Sequence, residues 1–352
     1  MKKIALVLAV ALSSIGAFAQ NVAKNEAKQI QAFLSQPAQE AVTNAAALGV
    51  VNPSDIAAIP GVTVANGHVV AIDWKGKKLA GTLDLSGFKA LSTVDVSRNR
   101  ITAADFSDDA ALTKIDASRN RLTQLDIENC GQLVTIKVNN NRLPEITLDN
   151  VPFIKDVNVA SNHLVGLNVA NSATLETLNC QSNMLEVLTV DNCTALKNLY
   201  CGYNKLETVT LGGLTNLKNL NVDDNKIDNM IVSNLPSLAF FVCTDNNMKT
   251  LAVRDCNALL DVVCAYNDLT DFTVTACPNI QFVDCSYNDL TSLTLSNQTF
   301  LQRLICNNNQ LTMLDVSFDQ ALTYVNCRYN QITDLRTQAD YNLGMIACEW
   351  NY

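Results

Sequence analysis

Asparagine returns every 21 residues through most of this 352-residue chain, at Asn99, Asn120, Asn141, Asn162, Asn183, Asn204, Asn225, Asn246, Asn267, Asn288, Asn309, Asn330 and Asn351. No insertion interrupts the series. Apolar columns hold the same register. Eight residues before each Asn stands Leu or Ile, from Leu91 to Leu343, and five before it an apolar residue, from Val94 to Ile346. Two after it runs Ile101, Leu122, Leu143 and onward to Ile332, and positions +5 and +7 are apolar in most repeats, as in Leu188 with Val190. A fixed short period of this kind predicts stacked units, each unable to bury its apolar face alone. Alternation before the Asn has a period of two, which predicts one short strand per repeat with the −5 and −3 side chains inward. The Asn then turns the chain, and its amide is suited to pairing backbone groups of the turn and of the neighbouring coil.

Written out, Leu196-Lys-Asn-Leu199-Tyr-Cys201-Gly-Tyr-Asn204-Lys-Leu206 is LxxLxCxxNxL, and this resembles the leucine-rich repeat signature of bacterial, internalin-like secreted proteins. The resemblance covers roughly residues 70 to 352. It implies an α/β solenoid, a right-handed superhelix with a parallel concave sheet, and recognition of a protein or glycan by that face. Twelve inter-strand steps of about 4.8 Å make a sheet about 58 Å long.

The ends depart from the repeat. Lys2 and Lys3, the apolar run Ile4 to Ile15 and Ala17-Phe18-Ala19 read as a signal peptide over 1–19. Gln20 rather than Cys follows the cleavage pattern, so a lipid anchor is not indicated. Cleavage takes the formal charge from −9 to −11. The expectation is an exported protein, periplasmic, surface-associated or secreted, without membrane insertion. Residues 20–68 read as a helical N-terminal cap and loop, with Pro37 splitting two short helices and Pro53, Pro60, Gly61 and Gly67 in the loop. The solenoid occupies 69–352 in about 13 coils. The first coil is degenerate, Trp74 taking the −3 role and Lys77 replacing Asn. Thr337, Ala339 and Asp340 interrupt the last apolar column, so the final coil reads as its own cap. The rival is an open end that stacks on a partner, allowing homo-association there.

The chain has twelve cysteines. Cys180, Cys201, Cys243, Cys264, Cys285, Cys306, Cys327 and Cys348 stand at −3, and Cys130, Cys193, Cys256 and Cys277 at −11. Other repeats place Val96, Val138, Val151 or Leu214 in these columns, the interchange expected of small buried hydrophobes. Disulfides across coils are the alternative that export would favour; a metal ladder lacks any C-x-x-C pair.

Positions −6, −4 and −2 should face solvent on the concave sheet. Early coils are polar there, as in Thr93, Asp95 and Ser97. Later coils place Phe240, Phe282 and Tyr324 at −6, and Tyr200, Val242, Val263 and Ile305 at −4. At −1 stand Tyr203, Tyr266, Tyr287, Tyr329 and Trp350. A contiguous apolar and aromatic surface marks a contact site. The competing reading has the rim tyrosines shielding the Asn column and the inner aromatics pairing across strands. Arg98, Arg100, Arg119, Arg121 and Arg142 form a secondary basic patch, open to an anionic ligand such as a sulfated glycan or neutralised by Asp95 and Asp116.

Several functions are disfavoured. An acidic chain is a poor match for nucleic acid. Asp223, Asp224 and Asp245 lack the spacing of a calcium loop. Only two histidines occur, His68 and His163, and no nucleophile, zinc or phosphate-loop motif is present. Asp95 and Asp116 stand one coil apart, near the carboxyl spacing of retaining glycosidases, but on an open strand face. The expectation is a non-enzymatic binding protein without cofactor or metal.

Overall fold

The computed structural model describes residues 22–39, 42–295, 298–317, 319–337 and 342–351. The signal-peptide reading of 1–19, and Ala339 and Asp340, lie outside the described residues.

The repeat period sets the architecture. Thirteen three-residue strands, from Thr93–Asp95 to Met345–Ala347, follow one another at 21-residue intervals in one parallel sheet. Register is uniform: Thr93 faces Lys114, Asn198 faces Asn219, and Tyr324 faces Met345. Along the strands before the last one only the central residue points inward, so Val94, Leu199, Phe241 and Val325 are buried while their neighbours are open or half-open. The returning wall is less regular. It carries short parallel sheets, for example Asn229–Ser233, Thr250–Arg254 and Asp271–Thr275. The +5 and +7 pairs, such as Leu167 with Val169, close the core from that side.

The Asn column welds the coils. Each side-chain amide donates to the −3 carbonyl of its own coil and to the −3 carbonyl of the coil before, and its Oδ1 accepts the +2 amide of the coil before. For Asn225 these partners are Val222 O at 3.1 Å, Cys201 O at 3.1 Å and Leu206 N at 3.0 Å. The pattern runs from Asn120 to Asn351. Asn99 ties the degenerate first coil in the same way, through Trp74 O, Lys77 N and Leu79 N.

The N-terminal end is sealed by side-chain amides. Helix α1 (Lys24–Ser35) and helix α2 (Asn44–Leu48) cover the first coil with Ile30, Phe33 and Leu34, and Phe33 stacks on Trp74 at 5.6 Å. The edge of the outer strand Ala80–Asp84 then needs partners for its backbone. Asn44 donates to Ala80 O and accepts Ala80 N, and Gln36 does the same with Thr82. Two amides therefore imitate a neighbouring strand and leave that edge paired. Glu26, buried in α1, accepts Val69 N and lies 2.7 Å from His68 Nδ1.

Two details differ from the sequence reading. Residues 61–68 are not simply a loop: β1 (Val62–Ala65) pairs antiparallel with β2 (His68–Asp73) and begins the concave sheet, so the boundary drawn at 68 passes through a hairpin. At the other end the final coil does not bury its own core face, since Ile346 is half-exposed and Cys348 is exposed.

Candidate recognition surface

The surface is built from two turns that impose the same backbone on different residues. In every coil the −1 residue has a positive φ, from Arg98 (59°) through Tyr203 (56°), Tyr266 (55°), Tyr287 (55°) and Tyr329 (55°) to Trp350 (64°). The turn on the opposite side, ten residues further along the chain, has a left-handed residue as well. There the occupants are Asp108, Asn129, Asn150, Asn171, Asn192, Gly213, Asn234, Asp255 and Ala276. Asn, Asp and Gly are what left-handed backbone prefers, because a Cβ is crowded against the following carbonyl oxygen. The second turn obeys that preference almost throughout. The first turn places five aromatic residues against it.

Those aromatics are open to solvent. Tyr203, Tyr266, Tyr329 and Trp350 each keep half or more of their surface exposed, and Tyr287 is exposed too. Tyr266 and Tyr287 stack at 4.3 Å and Tyr329 stacks on Trp350 at 5.9 Å. The buried Asn column lies directly after them in the chain, so the two readings of the rim are geometrically compatible: stacked rings flank the column and still present open faces and hydroxyls.

On the strand face the −6 column reads Phe240, Asp261, Phe282, Arg303, Tyr324 and Met345, each in register with the next. Phe240 is exposed, while Phe282 and Tyr324 are half-buried because Arg303 lies between them, its guanidinium carbon 5.4 Å and 5.5 Å from the two ring centres. A cation held between two rings gains from both. Tyr200, Val242, Val263 and Ile305 are half-buried in the −4 column. The structure thus brings the predicted aromatic and apolar residues onto one strand face and its rim in the C-terminal half of the array. It adds Arg303 and the exposed Met345, which the sequence reading did not include. Arg303 stands in the same column as its two rings, and that spacing was the available signal.

The arginines form a separate rim in the first coils. Arg98, Arg119, Arg121 and Arg142 are exposed and Arg100 is half-buried. Among the described residues neither Asp95 nor Asp116 lies within 4 Å of these guanidinium groups. One oxygen of Asp95 takes the Ser97 amide and hydroxyl and the other lies 3.8 Å from Lys75; Asp116 takes the Ser118 amide and hydroxyl. Two lysines beside the sheet are matched, Lys137 to Asp156 and Lys197 to Glu176. Further along, Asp223 folds its carboxylate into the space that Gly202 leaves open, where any Cβ would collide with it, and burial raises its pKa.

Eleven cysteines are buried thiols and Cys348 is an exposed one. Burial pushes the Cys180 thiol up to about 12, which keeps it protonated and inert. Among the described residues no group of three or more His, Cys, Asp or Glu side chains is placed to hold a metal ion, and no helix is long and apolar enough to cross a membrane.

Comparison with solved structures identifies the fold. A leucine-rich repeat protein of Leptospira interrogans aligns with a TM-score of 0.57 at 21% identity, over 72% of this chain and 68% of that one. The functional domain of InlJ from Listeria monocytogenes, described as including a cysteine ladder, aligns at 0.51 and 22% identity over 80% and 67%. An internalin, inlF, from the same organism aligns at 0.50 and 17% identity over 96% and 98%. No protein-family model matches the chain and no curated protein matches its sequence. The fold is that of the leucine-rich repeat solenoids, of the kind seen in bacterial internalins.

Proposed function

We propose that this leucine-rich repeat solenoid is an exported, non-catalytic binding protein, which recognises a protein partner through the C-terminal half of its concave face and the aromatic rim beside it. A glycan partner remains an outcome of the same test. One observation carries the reading: five aromatic side chains occupy left-handed positions at −1, a backbone that in the described opposite turns of other coils is held mostly by Asn, Asp and Gly. Such a residue costs about 1–2 kcal/mol in backbone strain. Ring stacking returns about 0.5–1.5 kcal/mol. Folding alone therefore gains little from these tyrosines, whereas exposed aromatics are strong anchors at an interface.

That balance defines a test in which binding and folding separate. In the mature chain from residue 20, Tyr266→Asn and Tyr287→Asn together should leave stability within about 1 kcal/mol, because Asn relieves the strain as the stack is lost. Binding to a protein found on a mixed protein and glycan array should fall at least tenfold. Chemical denaturation and titration of the array hit read the two quantities. A loss of several kcal/mol with binding unchanged would make the rim structural. The triple variant Phe240→Ala, Phe282→Ala, Tyr324→Ala extends the test to the strand face.

A second reading rests on the uncovered last coil. Ile346 and Cys348 present a core face, and among the described residues the strand Met345–Ala347 pairs only with Tyr324–Asn326. An assembly joined there would be concentration-dependent. Light scattering should show growth in mass with concentration if this end self-associates, and a monomer throughout would sink the idea.

A further inference from the structure

The turns of the first coils carry positive charge without its partners. In the four residues from −2 to +1, the first six coils contain no carboxylate; the first is Asp223. Within that stretch Arg98 and Arg119 stand at −1 and Arg100, Arg121 and Arg142 at +1. None of the five has a carboxylate within 4 Å among the described residues. The +1 column continues with His163, then Lys205 and Lys226, and reverses sign at Asp268 and Asp289. A chain of net charge −9 has thus cleared acid from one rim and concentrated guanidinium groups there.

Spacing narrows the ligand. Backbone bonds join these turns coil to coil, Arg98 N to Ser118 O at 2.9 Å and Arg121 N to Ile101 O at 2.9 Å, so successive arginines in a row are one coil apart, about 4.8 Å. This is the order of the repeat of one pyranose ring along an extended polysaccharide. Guanidinium groups favour oxyanions that accept two parallel hydrogen bonds. Two further features argue against single-stranded nucleic acid. Its binding needs aromatic platforms among the cations, and the aromatic rim begins only at Tyr203. The acidic turns from Asp223 onward would repel any polyanion laid along the whole length.

We infer that the rim formed by Arg98, Arg100, Arg119, Arg121 and Arg142 binds a linear sulfated polysaccharide, running across the coils and ending before the acidic half. The site is distinct from the aromatic surface and does not depend on the partner proposed for it.

Heparin is the probe, with the full mature chain. The wild-type protein should bind it with an affinity that falls steeply as salt rises. The variant Arg100→Gln, Arg121→Gln, Arg142→Gln should bind about tenfold or more weakly with a shallower salt dependence, since three phosphate-like contacts are removed. Gln310 and Gln331 occupy the same column in later coils, so the change suits the fold. Adding Arg98→Asn and Arg119→Asn, which the left-handed turn favours, should weaken binding further. The charge-matched control Lys137→Gln, Lys155→Gln, Lys197→Gln should bind as wild type does. No binding of heparin at low salt, equal loss in both triple variants, or equal competition by desulfated heparin or single-stranded DNA would each overturn the assignment.

Discussion

Asn225→Ala should lower the stability of the array by about 3–4 kcal/mol and divide its unfolding into two transitions. The side chain is almost fully buried and bonds four backbone groups across two coils. Its three carbonyl partners are shared: Cys201 O also accepts from Asn204, Val222 O from Asn246 and Asp223 O from the Tyr203 amide. Each therefore keeps one donor after the substitution. The Leu206 amide has no such reserve, because Asn225 Oδ1 is its acceptor. A buried donor left unpaired costs about 1–3 kcal/mol, and each lost hydrogen bond adds about 1 kcal/mol. A solenoid is stabilised by nearest-neighbour interfaces. Weakening one interface at mid-length uncouples the coils on either side, so denaturant unfolding followed by circular dichroism should become biphasic. The same change at Asn351, in the last coil, should cost less and leave one transition. A single transition with an unchanged midpoint for Asn225→Ala would show that the column is not what couples the coils.

The second large effect concerns Asp109. It stands in the −11 column, where neighbouring coils place Cys130 and Val151, and it is fully buried. Oδ1 accepts the Phe88 amide at 2.6 Å, while Oδ2 is buried without a partner. Loss of hydration raises its pKa from 3.8 to about 8; the Phe88 amide opposes this and the carboxylates of Asp105, Glu26 and Asp108 reinforce it. The folded chain thus holds a proton that the unfolded chain has released above about pH 4. Stability must then fall as pH rises from about 4 to about 8 and level off above that. Asp109→Asn matches the protonated carboxyl in shape and keeps the Phe88 bond. It should be as stable as the parent near pH 3, and its advantage should grow from about pH 4 to reach several kcal/mol at pH 9. Thermal melts of both proteins across that range measure the difference. Parallel pH profiles would mean that Asp109 is ionised in the folded state throughout.

What could be read from the sequence follows from how each feature repeats. The Asn column, the −5 and −3 columns and the helical cap around Pro37 were legible because a period or a breaker announces them. Burial of the cysteines followed from their exchange with valine. The left-handed −1 turn was not legible, since a series running from Arg98 through Ser161 to Trp350 shares no side-chain property; only the backbone has the common feature. Asp109 was hidden for the opposite reason: its column was read from the Cys, Val and Leu members, and Ser172, Gln298, Asp319 and Asp340 break it too, so the sequence did not single Asp109 out. The arginine rim was visible, but its lack of partners was not, because Ser97 and Ser118 compete for Asp95 and Asp116 at a range the sequence does not show. The amides of Asn44 and Gln36 gave no sign that they would stand in for a strand.

A uniform register has an evolutionary corollary. Because each coil contacts the next through the same backbone groups, a stretch of 21 residues can be removed from, or duplicated within, the interior and every surviving Asn still meets the carbonyls it requires. Recombination between out-of-step copies of the repeat would therefore yield a foldable product at once, lengthening the solenoid in whole steps. Each such step would widen or narrow the gap between its basic and aromatic rims without redesign of either.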